Sequence, residues 1–542
     1  MLFGDENAWN DRLLNGCYIE QSKDLTNKSI IIGKWGIGKS AFILHKVRSL
    51  KNALEVEGAE DVNKDIWNMG EHSIEIASLI ILRKKYADDE LFKRALETIW
   101  IAEIIRSECV LFYKLRKIYV PNEGDHWDKI INIGKRENNL PRFWDRIPAL
   151  LFSLSEINLK GLKEVERIQG TFGETLRHST LENIYKCLID IKTQKVQPII
   201  VIEPIDTPKT EWDQGGFSLP LVSSLLNTYT RIFIGYQEPS QWIKICIPWH
   251  RYRTDTLDNP NRIIPYVGFI EWNRENLWEF INRRIEWEFR RVNRKFTERY
   301  PWNILFPTRI SHREYRENTL EDSFLFIRRH THWKPRELLR IARISVEKQS
   351  NISDQSVDGI LRRGQVEEEV LKDTINDFCK IKMENELIEE AKRRYGDSKT
   401  KEIMSYLYGL SNPFTLDDFN KKIKRYQKYS QEDLESDNLI NIIKILYDAG
   451  FIGIEIIPST DAKILNDYLN ILGLGTHIYH KKPIQINLFY LFEYNYRKEI
   501  SDIIKIVTNR DDAEINIVFH PSALSTFGAV SKSTDCCHII GI

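Results

Sequence analysis

Residues 28–41 read Lys-Ser-Ile-Ile-Ile-Gly-Lys-Trp-Gly-Ile-Gly-Lys-Ser-Ala, and no other stretch of the 542 residues limits the fold so sharply. The apolar run 29–32, bounded by Asn27-Lys28 and Gly33, predicts a strand buried on both faces, as in a parallel sheet. Residues 40–50 follow with helical periodicity, Ala41, Ile43, Leu44 and Val47 sharing one face. Between strand and helix, Gly33-Lys34-Trp35-Gly36-Ile37-Gly38-Lys39-Ser40 fits the phosphate-loop pattern G-x-x-x-x-G-K-[ST] in the strand-to-helix context that the pattern requires.

The residue types follow from the chemistry of holding phosphate. Glycines at 36 and 38 let backbone N–H groups turn inward, where a side chain would oppose the turn. A helix opening near Lys39 presents unpaired amides and the positive end of its dipole. Lys39 is expected to reach the β- and γ-phosphates, and Ser40 to place its hydroxyl on Mg²⁺. Gly33, Gly36, Ile37, Gly38, Lys39, Ser40 and Ala41 are therefore the candidate nucleotide-binding set.

Magnesium needs an acid at the end of a neighbouring strand. Pro198-Ile199-Ile200-Val201-Ile202 is a second apolar run, followed by Glu203-Pro204-Ile205-Asp206. Glu203 is the candidate metal ligand alongside Ser40. Glu203 and Asp206, with Lys39, are the candidate catalytic residues, one carboxylate for the metal and the other for the attacking water. A third run, Arg231–Tyr236, ends beside Gln237, a candidate γ-phosphate contact. A fourth spans Ile263–Ile270. Helical patterns at 218–229 and 74–118 lie among these runs, with further helices expected at 145–155 and 177–192. Strands alternating with helices predict an α/β core with a parallel sheet and helices on both faces.

Composition excludes several alternatives. Lys plus Arg and Asp plus Glu are 78 each, so neither a basic coat nor an acidic tail describes the whole chain. Seven cysteines without framework spacing point to a reducing, cytoplasmic setting. Met1–Glu6 carries acid where a signal peptide needs base, and no apolar run approaches membrane-spanning length, so no membrane association is expected. Cys536-Cys537-His538 lacks zinc-site spacing.

With these motifs the chain resembles the bacterial STAND-like P-loop ATPases, relatives of AAA+ proteins often found in antiphage defence loci. The likeness runs through Phe3-Gly4, Ala8, Leu13-Leu14, Gly38–Ala41, the Glu203 and Asp206 strand end and Ile270-Glu271-Trp272. It continues through Leu277, Arg283-Arg284, Thr331–Leu339, Leu446–Gly453 and His520-Pro521. The resemblance implies an α/β P-loop NTPase domain over 1–275 with a helical insertion at about 50–195. It also implies a helical lid at 276–350, a helical connector at 351–400 and a C-terminal module at 401–542. It implies ATP and Mg²⁺ as cofactors and a nucleotide-controlled switch, with destructive chemistry on a partner effector or within a homo-oligomer. The lid helix opening at Pro335 would bring Arg336 to the phosphates. Two departures stand out: Glu203 where the family usually has Asp, and Tyr236-Gln237 where it usually has a basic residue.

Two regions keep nucleic acid open as a partner. Residues 251–345 hold 20 Lys plus Arg against 13 Asp plus Glu. There Arg283, Arg284, Arg290, Arg291, Arg294 and Lys295 alternate with Trp287 and Phe289, a pattern that serves either phosphate contact or a structural helix face. Residues 399–456 read helix, loop, helix, helix, tight turn and strand, an order resembling a winged helix, with Thr415 as a helix cap and bases at Lys421, Lys422, Lys424 and Arg425. Competing readings are a DNA-binding initiator-like ATPase and a nucleotide-bound scaffold with negligible turnover.

Overall fold

The computed structural model describes residues 2–8, 10–20, 25, 28–45, 76–116, 125–139, 183–188, 200–202, 216–230, 243–248, 252, 257–270, 272–293, 300–312, 319–363, 365–429, 439–458, 489–491, 513–524, 526–527 and 530–531. The chain forms two compact units. One comprises Glu20–Glu271; the other joins Met1–Ile19 to Trp272–Ile542.

The first, the sheet unit, is built on four parallel strands: β1 (Ile30–Gly33), β2 (Ile200–Ile202), β3 (Ile243–Pro248) and β4 (Val267–Phe269), in the order β2-β3-β1-β4. Ile30, Ile31 and Ile32 are fully buried, as are Ile245, Cys246 and Ile247 opposite them. A central strand flanked on both edges has no solvent face, which is why its sequence is a continuous apolar run. Helices α1 (Ile76–Lys85), α2 (Asp89–Leu115) and α3 (Asp125–Asn138) make up much of what is described of the insertion, and α4 (Ser218–Thr228) follows β2. Asp88 caps α2 by accepting from the Leu91 N–H at 3.0 Å. Trp100 of α2 is fully buried and donates its indole N–H to the Leu221 carbonyl of α4 at 3.2 Å.

One of the four strand expectations needs correction. The run at 263–270 is helical in its first half: Pro260–Ile263 is an α-turn and Ile264–Tyr266 a 3₁₀ turn, leaving only Val267–Phe269 as strand. Pro260 occupies the first helical turn and Pro265 supplies no N–H, so the backbone winds before it extends. The strand that pairs with both β1 and β2 is Ile243–Pro248, which the sequence reading missed. The expected strand at 231–236 and the helix at 145–155 lie outside the described residues; of 177–192, residues 183–188 are helical.

The second, helical unit holds two hydrophobic cores. One is built from Phe3, Ile19 and residues between Leu277 and Cys379. Its main helices are α5 (Arg274–Val292), α6 (Ser323–His330), α7 (Pro335–Ile352) and α8 (Glu368–Lys382). The other core runs from Met383 to Phe527. It contains β5 (Phe414–Thr415), α9 (Leu416–Tyr429), α10 (Leu439–Asp448), β6 (Ile452–Pro458), β7 (Phe489–Leu491) and β8 (Ala513–Phe519). These strands form an antiparallel sheet in the order β7-β6-β8-β5. Thr415 opens α9 reciprocally: its hydroxyl accepts from the Asp418 N–H at 3.1 Å, and the Asp418 carboxylate accepts from the Thr415 N–H at 3.3 Å.

The first residues of the chain belong to the helical unit. Phe3 is fully buried, its N–H bonds to Glu288 at 3.1 Å and its carbonyl accepts from Arg284 at 2.8 Å. Arg284 also pairs with Asp11 at 2.5 Å, both side chains buried. Gly4, at φ +92°, lies so close that a Cβ there would meet the Arg284 guanidinium at 2.2 Å. No described helix is long and apolar enough to cross a membrane.

Candidate functional site

The loop after β1 turns on two glycines with left-handed backbones, Gly36 at φ +79° and Gly38 at φ +103°. Ile37 donates its N–H to the Lys34 carbonyl at 3.3 Å and sits back over the strand end, where a Cβ on Gly33 would meet its methyl at 2.6 Å. Residues 39–45 are helical, and the Phe42 N–H bonds to the Gly38 carbonyl at 3.0 Å. This is a tight strand–turn–helix whose shape depends on glycine at 36 and 38.

Lys39 is 3% exposed. Its ammonium donates to the Gly33 carbonyl at 2.9 Å and the Lys34 carbonyl at 3.1 Å. A buried cation thus sits inside the loop at a helix opening, held by two neutral carbonyls. An anion with several oxygens can take the place of those carbonyls and bring a full opposite charge to the ammonium. Ser40 and Ala41 are half-buried at the start of the helix, and Trp35 is half-buried in the loop. A buried ammonium, left-handed glycines and a helix start fit a phosphate-bearing ligand.

Because the sheet is parallel, β1, β2 and β3 all end on the same edge as the loop. Gly33 of β1 is level with Pro248 of β3, and Ile202 of β2 with Ile245 of β3. Two strand spacings, about 10 Å, separate β2 from β1. The carboxylates expected to act from that edge, Glu203 and Asp206, lie outside the described residues, as does Gln237. Among the described residues no group of three or more His, Cys, Asp or Glu side chains gathers as a metal site.

Arg336 belongs to the helical unit, as the second residue of α7, half-buried. Pro335 opens that helix as the sequence reading expects. The first turn of α7 is set in a buried charge cluster: Glu337 pairs with Lys382 at 2.6 Å and with Lys334 at 3.2 Å. Burial works against the Lys334 charge, but Glu337, Glu390 and Glu386 outweigh it and hold its pKa above the ordinary lysine value. Burial pulls Lys382 below that value, Glu337 opposes this, and the charge of Lys334 adds to it.

The arginine-rich helix α5 is committed to its own unit. Arg284 pairs with Asp11, Arg283 bonds to the Tyr18 carbonyl at 2.8 Å and to Glu279, and Arg290 pairs with Glu286 at 2.6 Å. Arg291 bridges Glu288 at 2.7 Å and Asp358 at 2.6 Å. Of the two readings of this patch, the contacts favour the structural helix face. Arg294 and Lys295 lie outside the described residues.

Comparison with protein-family models, curated proteins and solved structures gave no match, so the site is read from its own geometry.

Proposed function

We propose that the chain is a P-loop NTPase that binds ATP with Mg²⁺ at the loop between β1 and the helix at 39–45, and that nucleotide state operates a conformational switch. The observation that carries this reading is the buried Lys39 ammonium, held by the Gly33 and Lys34 carbonyls inside a loop turned by Gly36 and Gly38. Lys39 binds the terminal phosphates, and backbone N–H groups from Gly36 to Ala41 share the rest of the charge. Mg²⁺, when bound, would neutralise phosphate charge, with the Ser40 hydroxyl and the Glu203 carboxylate as its protein ligands. Asp206 orients or deprotonates the attacking water, which makes the protein an ATPase. Gln237 is, in this reading, the polar strand-end contact to the γ-phosphate. In this reading Arg336 senses the γ-phosphate from the lid helix, and the switch acts on an effector protein or a homo-oligomer, in the cytoplasm and in antiphage defence.

The test is calorimetric titration of ATP with and without Mg²⁺, together with phosphate release. Wild type binding ATP, and Lys39→Ala failing to bind while keeping its circular-dichroism spectrum, is the expected pair of results. Equal affinity in the two proteins removes the reading. Glu203→Gln and Asp206→Asn separate turnover from binding, and a nucleotide-bound scaffold would show retained ATP with no phosphate release.

A second reading draws on one observation in the C-terminal module, whose element order supports a winged helix. Lys421, Lys424 and Arg425 are exposed at i, i+3 and i+4 on α9, beside the half-exposed Lys422–Tyr426 pair at 5.7 Å. Such a stripe suits a nucleic-acid backbone. Asp417, paired with Lys421 at 2.6 Å, weakens it. Salt-dependent binding of duplex DNA, lost on Lys424→Glu, would support this second reading.

A further inference from the structure

We propose that His332 and His520 form an acid-sensitive latch between the two cores of the helical unit: proton uptake at His520 parts the two rings and lets a strained turn before α7 relax.

His332 precedes α7 by three residues, and it and Trp333 both adopt left-handed backbones, φ +34° and +55°. A bulky side chain such as that of Trp333 is an outlier in this region. Two consecutive side chains persist there only where the surroundings fix them. One set of restraints is local to the first core. Arg328 lies over the Trp333 ring at 4.4 Å, and the Lys334 N–H closes the turn on the Thr331 carbonyl at 2.9 Å. Lys382 ties the turn down from α8, bonding Glu337 at 2.6 Å and the His330 carbonyl at 3.0 Å.

The other restraints come from the second core. The His332 and His520 rings stack with centroids 3.7 Å apart and planes within 6°, and both side chains are buried. The His332 Nε2 lies 3.0 Å from the Gly450 carbonyl, which can only accept, so Nε2 carries the proton and His332 donates. The His520 Nδ1 accepts from the Ser522 N–H at 3.1 Å, so that nitrogen carries no proton and the ring is neutral. Ser522 also donates its hydroxyl to the His330 carbonyl at 3.2 Å. Gly450 has φ +79°, and a Cβ there would lie 2.6 Å from the His332 Nε2.

The closed latch therefore has no place for a further proton on His520. A proton from solvent adds to Nδ1, turning the acceptor into a donor that faces the Ser522 N–H, and the bond between them is lost. A second proton, on His332, would set two positive rings one stacking distance apart. The surrounding charges are mixed. Residues 521–523 pack on α6 and α8, which bring Arg328, His330 and Lys382; α7 and the turn before it bring Lys334, Arg336 and Glu337. Glu337 is already shared by Lys334 and Lys382, and Glu386 and Glu390 act on Lys334. From α10, two residues before Gly450, Asp448 is the acid that favours a charged ring; it is buried and accepts from the Tyr395 hydroxyl at 3.4 Å. The released chain binds a proton near the ordinary histidine value of about 6.5, whereas the closed latch does not. Closure is then complete above that value and is lost as pH falls below it. One proton bound only on release makes release about tenfold more favourable at about pH 5.5 than at about pH 7.5.

The experiment is hydrogen exchange of the full chain at those two pH values, read by mass spectrometry as protection relative to the intrinsic rate at each pH. In wild type, protection over 331–338, 450–452 and 519–524 is expected to fall about tenfold on acidification, while α5 changes less than about twofold. His520→Asn keeps an oxygen to accept from the Ser522 N–H but does not titrate, so its protection should be level across the two pH values. His330→Gln should keep the wild-type response, because the His330 ring bonds to the Phe326 carbonyl at 2.7 Å and takes no part in the stack. Gly450→Ala, which forces His332 aside, should show the low protection already at the higher pH. A wild-type protection that does not fall, or a fall that survives in His520→Asn, overturns the proposal. Should His520→Asn fail to fold, His520→Phe keeps a flat ring without a titrating nitrogen, and a fall that survives in it decides in the same way.

Discussion

Two helix openings in this molecule use left-handed backbone, and they do so in opposite ways. Before the helix at 39–45 the residues are Gly36 and Gly38, for which φ values of +79° and +103° carry little strain. Before α7 they are His332 and Trp333, for which the same region costs about 1–3 kcal/mol each. The first opening is restrained by a lysine and two carbonyls of its own loop. The second is held by residues from α6, α8 and the C-terminal module. The difference separates two tasks. A glycine loop can reshape around an incoming ligand at small cost, whereas a strained turn under outside restraint changes only when the restraint is removed.

The comparison can be broken most decisively at the loop. Lys39→Ala should cut ATP affinity about 100-fold or more, since it removes charge-assisted bonds of about 1.5–3 kcal/mol each. Its thermal unfolding should move far less, and calorimetry beside a melting curve checks both. Next in size is Gly450→Ala, expected to cost about 2–3 kcal/mol through positive φ and the approach of His332. Gly36→Ala should be milder in stability and act mainly on nucleotide binding. Equal stability losses in these two variants would erase the contrast between a loose opening and a clamped one.

A third, unstrained opening supplies the baseline. Thr415→Ala removes one half of the reciprocal cap on α9 and should cost about 1 kcal/mol by denaturant unfolding. The smallest effect belongs to Asp358, whose pKa is lowered chiefly by its hydrogen bond from Arg291. A carboxylate depressed in the folded state adds stability above its ordinary pKa of about 3.9, and that contribution is lost as pH falls through the depressed value. Both side chains are well exposed, so Asp358→Asn should cost under about 1 kcal/mol at pH 7 and nothing at a pH below the depressed value.

What the sequence made legible follows the same division between local and distant restraint. β1, the loop, the helix after it, α4, the Pro335 start and the Thr415 cap are all encoded within a few neighbouring residues. β3 carried a usable signal in Ile243, Ile245 and Ile247, but Lys244 within so short a run obscured it. The run at 263–270 misled because apolar residues alone do not distinguish a buried strand from a buried turn, and Pro260 and Pro265 decide it. The role of Arg284 was invisible because its carboxylate partner, Asp11, is 273 residues away. His332 and His520 hid one another in the same way.

The bond between Phe3 and Glu288 also has a history in time. The two residues are 285 positions apart, and all of Glu20–Glu271 is made between them. At about 5–20 residues per second, a ribosome needs roughly 15–60 s to travel from one to the other. Throughout that interval Phe3, Leu13 and Leu14 have emerged without the later half of the unit in which they end up buried. The sheet unit is meanwhile synthesised in full, before the rest of the helical unit exists. Synthesis therefore leaves the segment holding Phe3, Leu13 and Leu14 without its later partners for far longer than a helix or a hairpin takes to form.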